Sequence, residues 1–406
     1  MYVFLSLSKT SWFTALEALR EALVARDVEK VQVAYAQLYT ALAESNAPDL
    51  VSAAGRDLFY RNSSLAHAAM LYEEIPAGLL GGARCDLEEL LALLQRDWHK
   101  EVSDALGKRV PPLAELAPPL DPEMLLDLNH VNAEEVLDNL VTRYAQHGAG
   151  LLARYGAFRW TDQHLEGIAH PAQNELSRLV GLERPLARLV QNTEAFLARK
   201  PAQHTLLYGP RGSGKSTAVR SLLPRFAERG LRLVELSVAH LFDLLSVIEP
   251  LRERPHRYIL FIDDLSFGEE DTGYAPLKTL LEGSLTERPE NVRVYATSNR
   301  RHLVTERFSD RPDPLNDDVH AWDTQHERLA LADRFGLTLT FPDATQSRYL
   351  EIVRGLAAQA GLEVNDARAI RFAEWGNGYS GRTAQQFVET LLGELSAANA
   401  SREPRG

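Results

Sequence analysis

The sequence predicts an α/β protein: a parallel-sheet core with a helical N-terminal domain before it and a small helical C-terminal lid after it. Three observations carry this reading. Helical periodicity alone runs from residue 8 to about 150, short apolar runs alternate with helical patterns from His204 on, and an all-helical pattern returns after Phe341 and Pro342. Strands that alternate with helices pair in parallel and form a sheet covered on both faces. The chain has 406 residues, 45% hydrophobic and 25% charged, enough for two or three units with their own cores. The pattern sets the boundaries at 1–155 for the helical domain, 156–342 for the α/β core, 343–398 for the lid and 399–406 for a tail.

In the first domain, SWFTALEALREALVARD places Phe13, Leu16, Leu19 and Leu23 at helical spacing, with Thr10 or Ser11 as the cap. VEKVQVAYAQLYTALAE, CDLEELLALLQRDWHKEV and AEEVLDNLVTRYAQHG repeat the pattern. The Pro-rich stretch from Val110 to Glu123 reads as an ordered connector between two helical groups. No repeat of fixed period appears, so a solenoid is not expected. The core's strand candidates are HTLLYG, RLVELS, YILFIDD, VRVYATSN and LTLTF. The lid reads as three helices, in TQSRYLEIVRGLAAQAG, DARAIRFAEWG and RTAQQFVETLLGELSAA.

Composition narrows the function classes. A formal net charge of −12 opposes long-range steering toward DNA or an anionic membrane. The single cysteine, Cys85, excludes an internal disulfide and a cysteine-built zinc site; it fits a cytoplasmic location and is expected to be a small buried hydrophobe. MYVFLSLSKT lacks the basic start and long apolar core of a signal peptide, and no run of 18 apolar residues suggests a membrane span.

LLYGPRGSGKST contains Gly209, Pro210, Arg211, Gly212, Ser213, Gly214, Lys215 and Ser216, a full G-x-x-x-x-G-K-[ST] match, followed by Thr217. An apolar run precedes it and a helical run, TAVRSLL, follows, which is the strand–loop–helix order that phosphate binding needs. Glycines let the backbone wrap the phosphates so that N–H groups at the helix start face the anion. Lys215 is expected at the β- and γ-phosphates of ATP and the Ser216 hydroxyl on Mg²⁺. A carboxylate at the end of a neighbouring strand completes the metal site, and Asp263 in FIDDLSF fits that position. Asp264 stands where many P-loop ATPases carry a water-orienting glutamate; its side chain is shorter by about 1.5 Å. It is expected either to act on the water or to support Asp263 from behind, with Glu269 and Glu270 as substitutes downstream.

These residues resemble the AAA+ superfamily of ATPases, and most closely an uncharacterised family of bacterial stand-alone AAA+ proteins, a domain of unknown function. The motifs that carry the resemblance are LLYG-x-RG-x-GKS, FIDDLSF, ATSNRRHL, DRFGL and GYSGRTA, spread over about residues 155 to 395. The resemblance implies that Asn299 is the sensor 1 amide, near the attacking water or the γ-phosphate. It implies that Arg334 is an arginine finger acting on a neighbouring subunit, with Arg328 as a rival, and that Arg382 is the sensor 2 arginine of the lid. Val180, Gly181 and Leu182 resemble the loop that borders the adenine. The segment 300–333 is longer and more acidic than a compact AAA+ core needs, and Arg300 and Arg301 open it.

The expected function is therefore Mg²⁺-dependent ATP hydrolysis that remodels or loads a macromolecular client, protein or nucleic acid, in a homo-oligomeric ring or spiral without a membrane partner. The alternative is a nucleotide-dependent binding adaptor with little turnover. A small-molecule kinase is disfavoured by the sensor-like Asn299 and Arg382, a GTPase by the lack of N-K-x-D, and an ABC ATPase by the lack of LSGGQ. No DNA-reading motif is legible, so duplex DNA is expected to bind weakly.

Overall fold

The computed structural model describes residues 1–72, 74–118, 126, 128–129, 131–252, 254–267, 274–282, 289–299, 331–376 and 378–400. The chain divides into two compact units, Met1–Tyr155 with Glu253–His256, and Gly156–Arg252 with Arg257–Gly406.

The first unit is helical among its described residues. Its longer helices are Ser11–Ala25, Val28–Glu44, Ala77–Leu94 and Ala133–His147. Polar side chains mark where they start: Thr10, rather than Ser11, accepts from Phe13 N, Asp27 from Lys30 N and Asn132 from Glu135 N. Each satisfies an amide that the first helical turn leaves without a partner. Apolar stripes from these helices meet in one core that includes Trp12, Leu16, Leu38, Leu87 and Tyr144. Within the Pro-rich connector, Tyr35 donates to Pro111 O at 2.6 Å and Leu116 N to Pro48 O at 3.0 Å; its residues 119–123 lie outside the described residues. Cys85 is exposed, not buried. The helix Ala77–Leu94 turns its neighbours Asp86 and Leu87 inward and leaves Cys85 on the solvent side.

Asp86 ties the chain's first residues to this core. It is 1% exposed, and its carboxylate accepts from Tyr2 N (2.8 Å), Val3 N (2.7 Å) and Phe4 N (3.0 Å). Val3 and Phe4 are themselves buried. Removing a buried acceptor leaves its donors desolvated and unpaired. Asp86→Ala is therefore expected to destabilise the protein by about 3–5 kcal/mol, and Asp86→Asn, which keeps one acceptor, by less. Urea unfolding checks this; a shift below about 1 kcal/mol would show that the amides find other partners.

The second unit is the α/β fold expected from the sequence. Its strands are β1 (Ala157–Thr161), β2 (His164–Gly167), β3 (Thr205–Tyr208), β4 (Leu231–Glu235), β5 (Arg257–Ile262), β6 (Val292–Ser298) and β7 (Leu337–Thr340). They form one sheet in the order β2-β1-β4-β5-β6-β3-β7, parallel except for the β1–β2 pair. All six residues of β5 are buried, as a strand covered on both faces requires. The hairpin β1–β2 is absent from the sequence expectation. Its two-residue turn, Asp162 and Gln163, has both φ values positive (47° and 63°). That geometry fits a tight hairpin but usually recruits glycine or asparagine, so the usual turn signal is missing.

The topology selects where a ligand sits. From β3 the chain crosses past β6 and β5 to reach β4, whereas β7 joins β3 on its other side. The neighbouring strands β3 and β6 thus send their connections in opposite directions, to β4 and to β7, and such a switch opens a crevice at the strands' carboxyl ends. The three helices after β7, Gln346–Gln359, Asp366–Trp375 and Gly381–Ala400, share a small core of Tyr349, Val353, Ala369, Ala373, Ala384 and Phe387.

Candidate functional site

The glycine-rich loop leaves β3 at this crevice and enters the helix Lys215–Arg220. Two of its glycines are required by geometry. A Cβ at Gly209 would lie 2.1 Å from Phe341 O, and Gly214 has φ +94° with Leu179 packed against its bare Cα. A side chain at Gly209 would run into backbone, and one at Gly214 would be strained by the positive φ and press on the Leu179 side chain.

Lys215 is 6% exposed and turns into the loop that precedes it. Its Nζ donates to Gly209 O (2.7 Å), Pro210 O (2.8 Å) and Asn299 Oδ1 (3.0 Å). Burial holds the ammonium below the ordinary lysine pKa, while the carboxylates of Asp264 and Asp263 act in the opposite direction. Asn299, just beyond β6, in turn donates its Nδ2 to Asp264 Oδ1.

The two aspartates follow β5 and face different partners. Asp263 Oδ1 accepts from Ser216 Oγ (2.5 Å) and Thr297 Oγ1 (2.6 Å), and Thr297 Oγ1 also accepts from Asp264 N at 2.9 Å. Asp264 has φ +54°, in the left-handed region, so successive carboxylates diverge from the strand end toward different groups.

These residues line a single cavity of about 670 Å³, within the range of small-molecule sites. Arg211 to Thr217, Asp263, Asp264 and Asn299 form its polar wall, and Arg382, at the start of the helix Gly381–Ala400, enters from the lid side. Val180 and Leu182 meet Ile352 and Leu356 at an apolar end. The lid touches the loop directly: Gly381 N donates to Gly212 O at 3.1 Å. Arg348 donates to Gly181 O, and Gln359 Nε2 to Ser177 O at 2.8 Å.

Of the sequence-predicted site residues, Gly209 and Pro210 join through their carbonyls on Lys215, and Gly181 joins through Arg348. Arg334 stands apart: it ends the 3-10 turn Ala332–Arg334, before β7, and does not line the cavity. Glu269, Glu270, Arg300, Arg301 and Arg328 lie outside the described residues. Sequence reasoning missed Thr297, Arg348 and Arg220. Thr297 had a usable signal, since strand alternation sets it on the same side as Asn299. Arg220 also had one, four residues after Ser216 on one helix face.

The family model described as "Protein of unknown function (DUF815)" matches residues 153–395. No curated protein matches the chain. Among solved structures, the Thermotoga maritima RuvB Holliday junction branch migration motor is similar at 18% identity and TM-score 0.39, covering 56% of this chain and 67% of that one. One variant of that protein matches with the same figures. A second gives 18% identity and TM-score 0.37, covering 54% of this chain and 64% of its own. With its loop, both aspartates, Asn299 and Arg382 all inside the matched span, the chain belongs to the DUF815 family of proteins of unknown function.

Proposed function

We propose that the protein is an AAA+ ATPase that binds ATP with Mg²⁺ and hydrolyses it to act on a macromolecular client. The observation that carries this reading is the convergence on one loop: Lys215 reaches Asn299, Asn299 reaches Asp264, and Ser216 reaches Asp263. Nucleotide phosphates entering the loop take over the contacts of the Lys215 ammonium, and the lid arginine Arg382 flanks the same space. Phosphoryl transfer depends mainly on such positioning and on charge stabilisation.

The donor set suits magnesium. Ser216 and Asp263 offer hard oxygens, and no three-member cluster of His, Cys, Asp or Glu that would hold a metal alone occurs among the described residues. Mg²⁺ carried in on phosphates needs only one or two protein oxygens. When bound, it neutralises the charge that develops on the phosphates. The apolar end at Val180 and Leu182 accommodates the base, and Val180 packs on Gly355, where a Cβ would approach it to 2.8 Å.

A second reading, a nucleotide-dependent adaptor with little turnover, is favoured by one observation. Asp264 is short and its Oδ1 is already engaged by Asn299. Steady-state phosphate release separates the two. Asp264→Asn is expected to retain nucleotide binding and lose turnover by about 10²-fold or more, the usual worth of a positioned base. Equal rates in both proteins would reduce Asp264 to a structural group and favour the adaptor.

The client, the ring or spiral assembly and a cytoplasmic location, which the single cysteine suits, belong to this proposal. No helix among the described residues is long and apolar enough to cross a membrane.

A further inference from the structure

Arg220 closes the helix that Lys215 opens, one turn beyond Ser216. Both side chains reach Asp263 but take different oxygens: Ser216 Oγ and Thr297 Oγ1 donate to Oδ1, and Arg220 Nη2 donates to Oδ2 at 3.1 Å. The same nitrogen lies 3.2 Å from Glu235 Oε1, at the end of β4. Glu235 Oε2 takes Nε (3.1 Å) and Nη2 (3.0 Å) of Arg159 in β1. The Arg220 guanidinium carbon sits 5.2 Å from the ring centre of Phe261, two residues before Asp263 on the same strand.

We propose that Arg220 is a positioning residue for the Asp263 carboxylate, with Glu235 as its counter-charge, and that the pair sets how readily the site accepts a divalent cation. This rests on the magnesium–nucleotide reading above. The torsion that rotates a carboxylate is broad and two-fold, so bonds to one oxygen leave the group free to rock. Arg220 holds the second oxygen, and its guanidinium carbon lies over the Phe261 ring. A lone cation in that place would also cancel the charge of Asp263. Glu235, which also pairs with Arg159, lessens this by sharing the same nitrogen, so Asp263 and Asp264 keep negative charge for an incoming metal. The side chains of Arg220, Asp263 and Glu235 are 36%, 33% and 30% exposed, so these ion pairs add little to folding stability. Their loss is therefore read in metal dependence and not in the melting temperature.

The experiment is binding of a fluorescent ATP analogue by the full chain, titrated with Mg²⁺, alongside thermal melts. Arg220→Ala is expected to raise the half-saturating Mg²⁺ concentration about tenfold with little change in melting, and Arg220→Lys to recover to within roughly threefold of wild type, as losing or restoring a group that orients a metal ligand does. Glu235→Gln concentrates the Arg220 charge on Asp263 and also raises the Mg²⁺ requirement; it decides the matter if Arg220→Ala does not fold. A wild-type requirement in Arg220→Ala, or a lower one, would overturn the proposal, because Arg220 would then be a bystander or a competing cation. An unchanged Glu235→Gln would overturn the counter-charge role. Wild-type binding that ignores Mg²⁺ would remove the magnesium–nucleotide reading and this proposal together, whereas normal wild-type dependence with unaltered variants removes this proposal alone.

Discussion

Lys215→Ala is expected to weaken nucleotide binding by about 10²-fold or more while leaving the fold intact. In the proposed site the side chain would supply charge-assisted bonds to phosphate, worth about 1.5–3 kcal/mol each, and every 1.4 kcal/mol is a factor of ten. Its removal has opposing effects on stability. The free protein loses bonds from Nζ to Gly209 O, Pro210 O and Asn299 Oδ1, but no longer buries an ammonium whose pKa burial has lowered. The two nearly offset, so the melting temperature is expected to move little. Titration with a fluorescent ATP analogue in Mg²⁺, paired with a thermal melt by circular dichroism, tests both halves. Unchanged affinity would sink the phosphate assignment of the loop.

Arg334→Ala should abolish most turnover and spare nucleotide binding. β7 runs parallel to β3, so a residue just before β7 stands at the opposite end of the sheet from the phosphate loop. The four residues of β7 alone separate them by roughly 13 Å along the strand. Arg334 therefore stands away from the glycine-rich loop of its own chain, and in the proposed mechanism its part in hydrolysis is played in a neighbouring subunit. An arginine supplied in trans contributes on the order of 10³-fold or more in P-loop enzymes. Head-to-tail contact of this kind repeats into a ring or an open spiral. Two inactive variants, Lys215→Ala and Arg334→Ala, should then restore partial activity when mixed, because some interfaces pair an intact loop with an intact arginine. Specific activity should also rise with protein concentration. A monomer whose turnover is independent of concentration, with no rescue on mixing, would leave Arg334 a local residue.

What was legible in the sequence was whatever short-range order encodes. The glycine-rich loop is legible because its glycines, lysine and serine lie together in one short stretch, Gly209 to Ser216. The run YILFI is readable because a strand buried on both faces is apolar throughout. The hairpin β1–β2 escaped notice because Asp162 and Gln163 adopt a turn that composition does not advertise. Arg348 escaped because Gly181 is brought to it only by the packing of the helix Gln346–Gln359; Arg220 and Thr297 carried a spacing signal, but their shared partner Asp263 comes from another element. Cys85 was misjudged for a related reason: residue type sets an average burial, but helix phase sets the actual one. Asp86 is the same lesson inverted, a carboxylate buried because three amides need it.

The contact between Gly381 N and Gly212 O ties the glycine-rich loop to the first residue of the last helix. That helix has 20 residues and is about 30 Å long. Geometry then sets the scale: a rigid tilt of about 10° at Gly381 would sweep the far end through roughly 5 Å. Any movement of Gly212 that tilted the helix Gly381–Ala400 would therefore be larger at the distal end of that helix than at the loop.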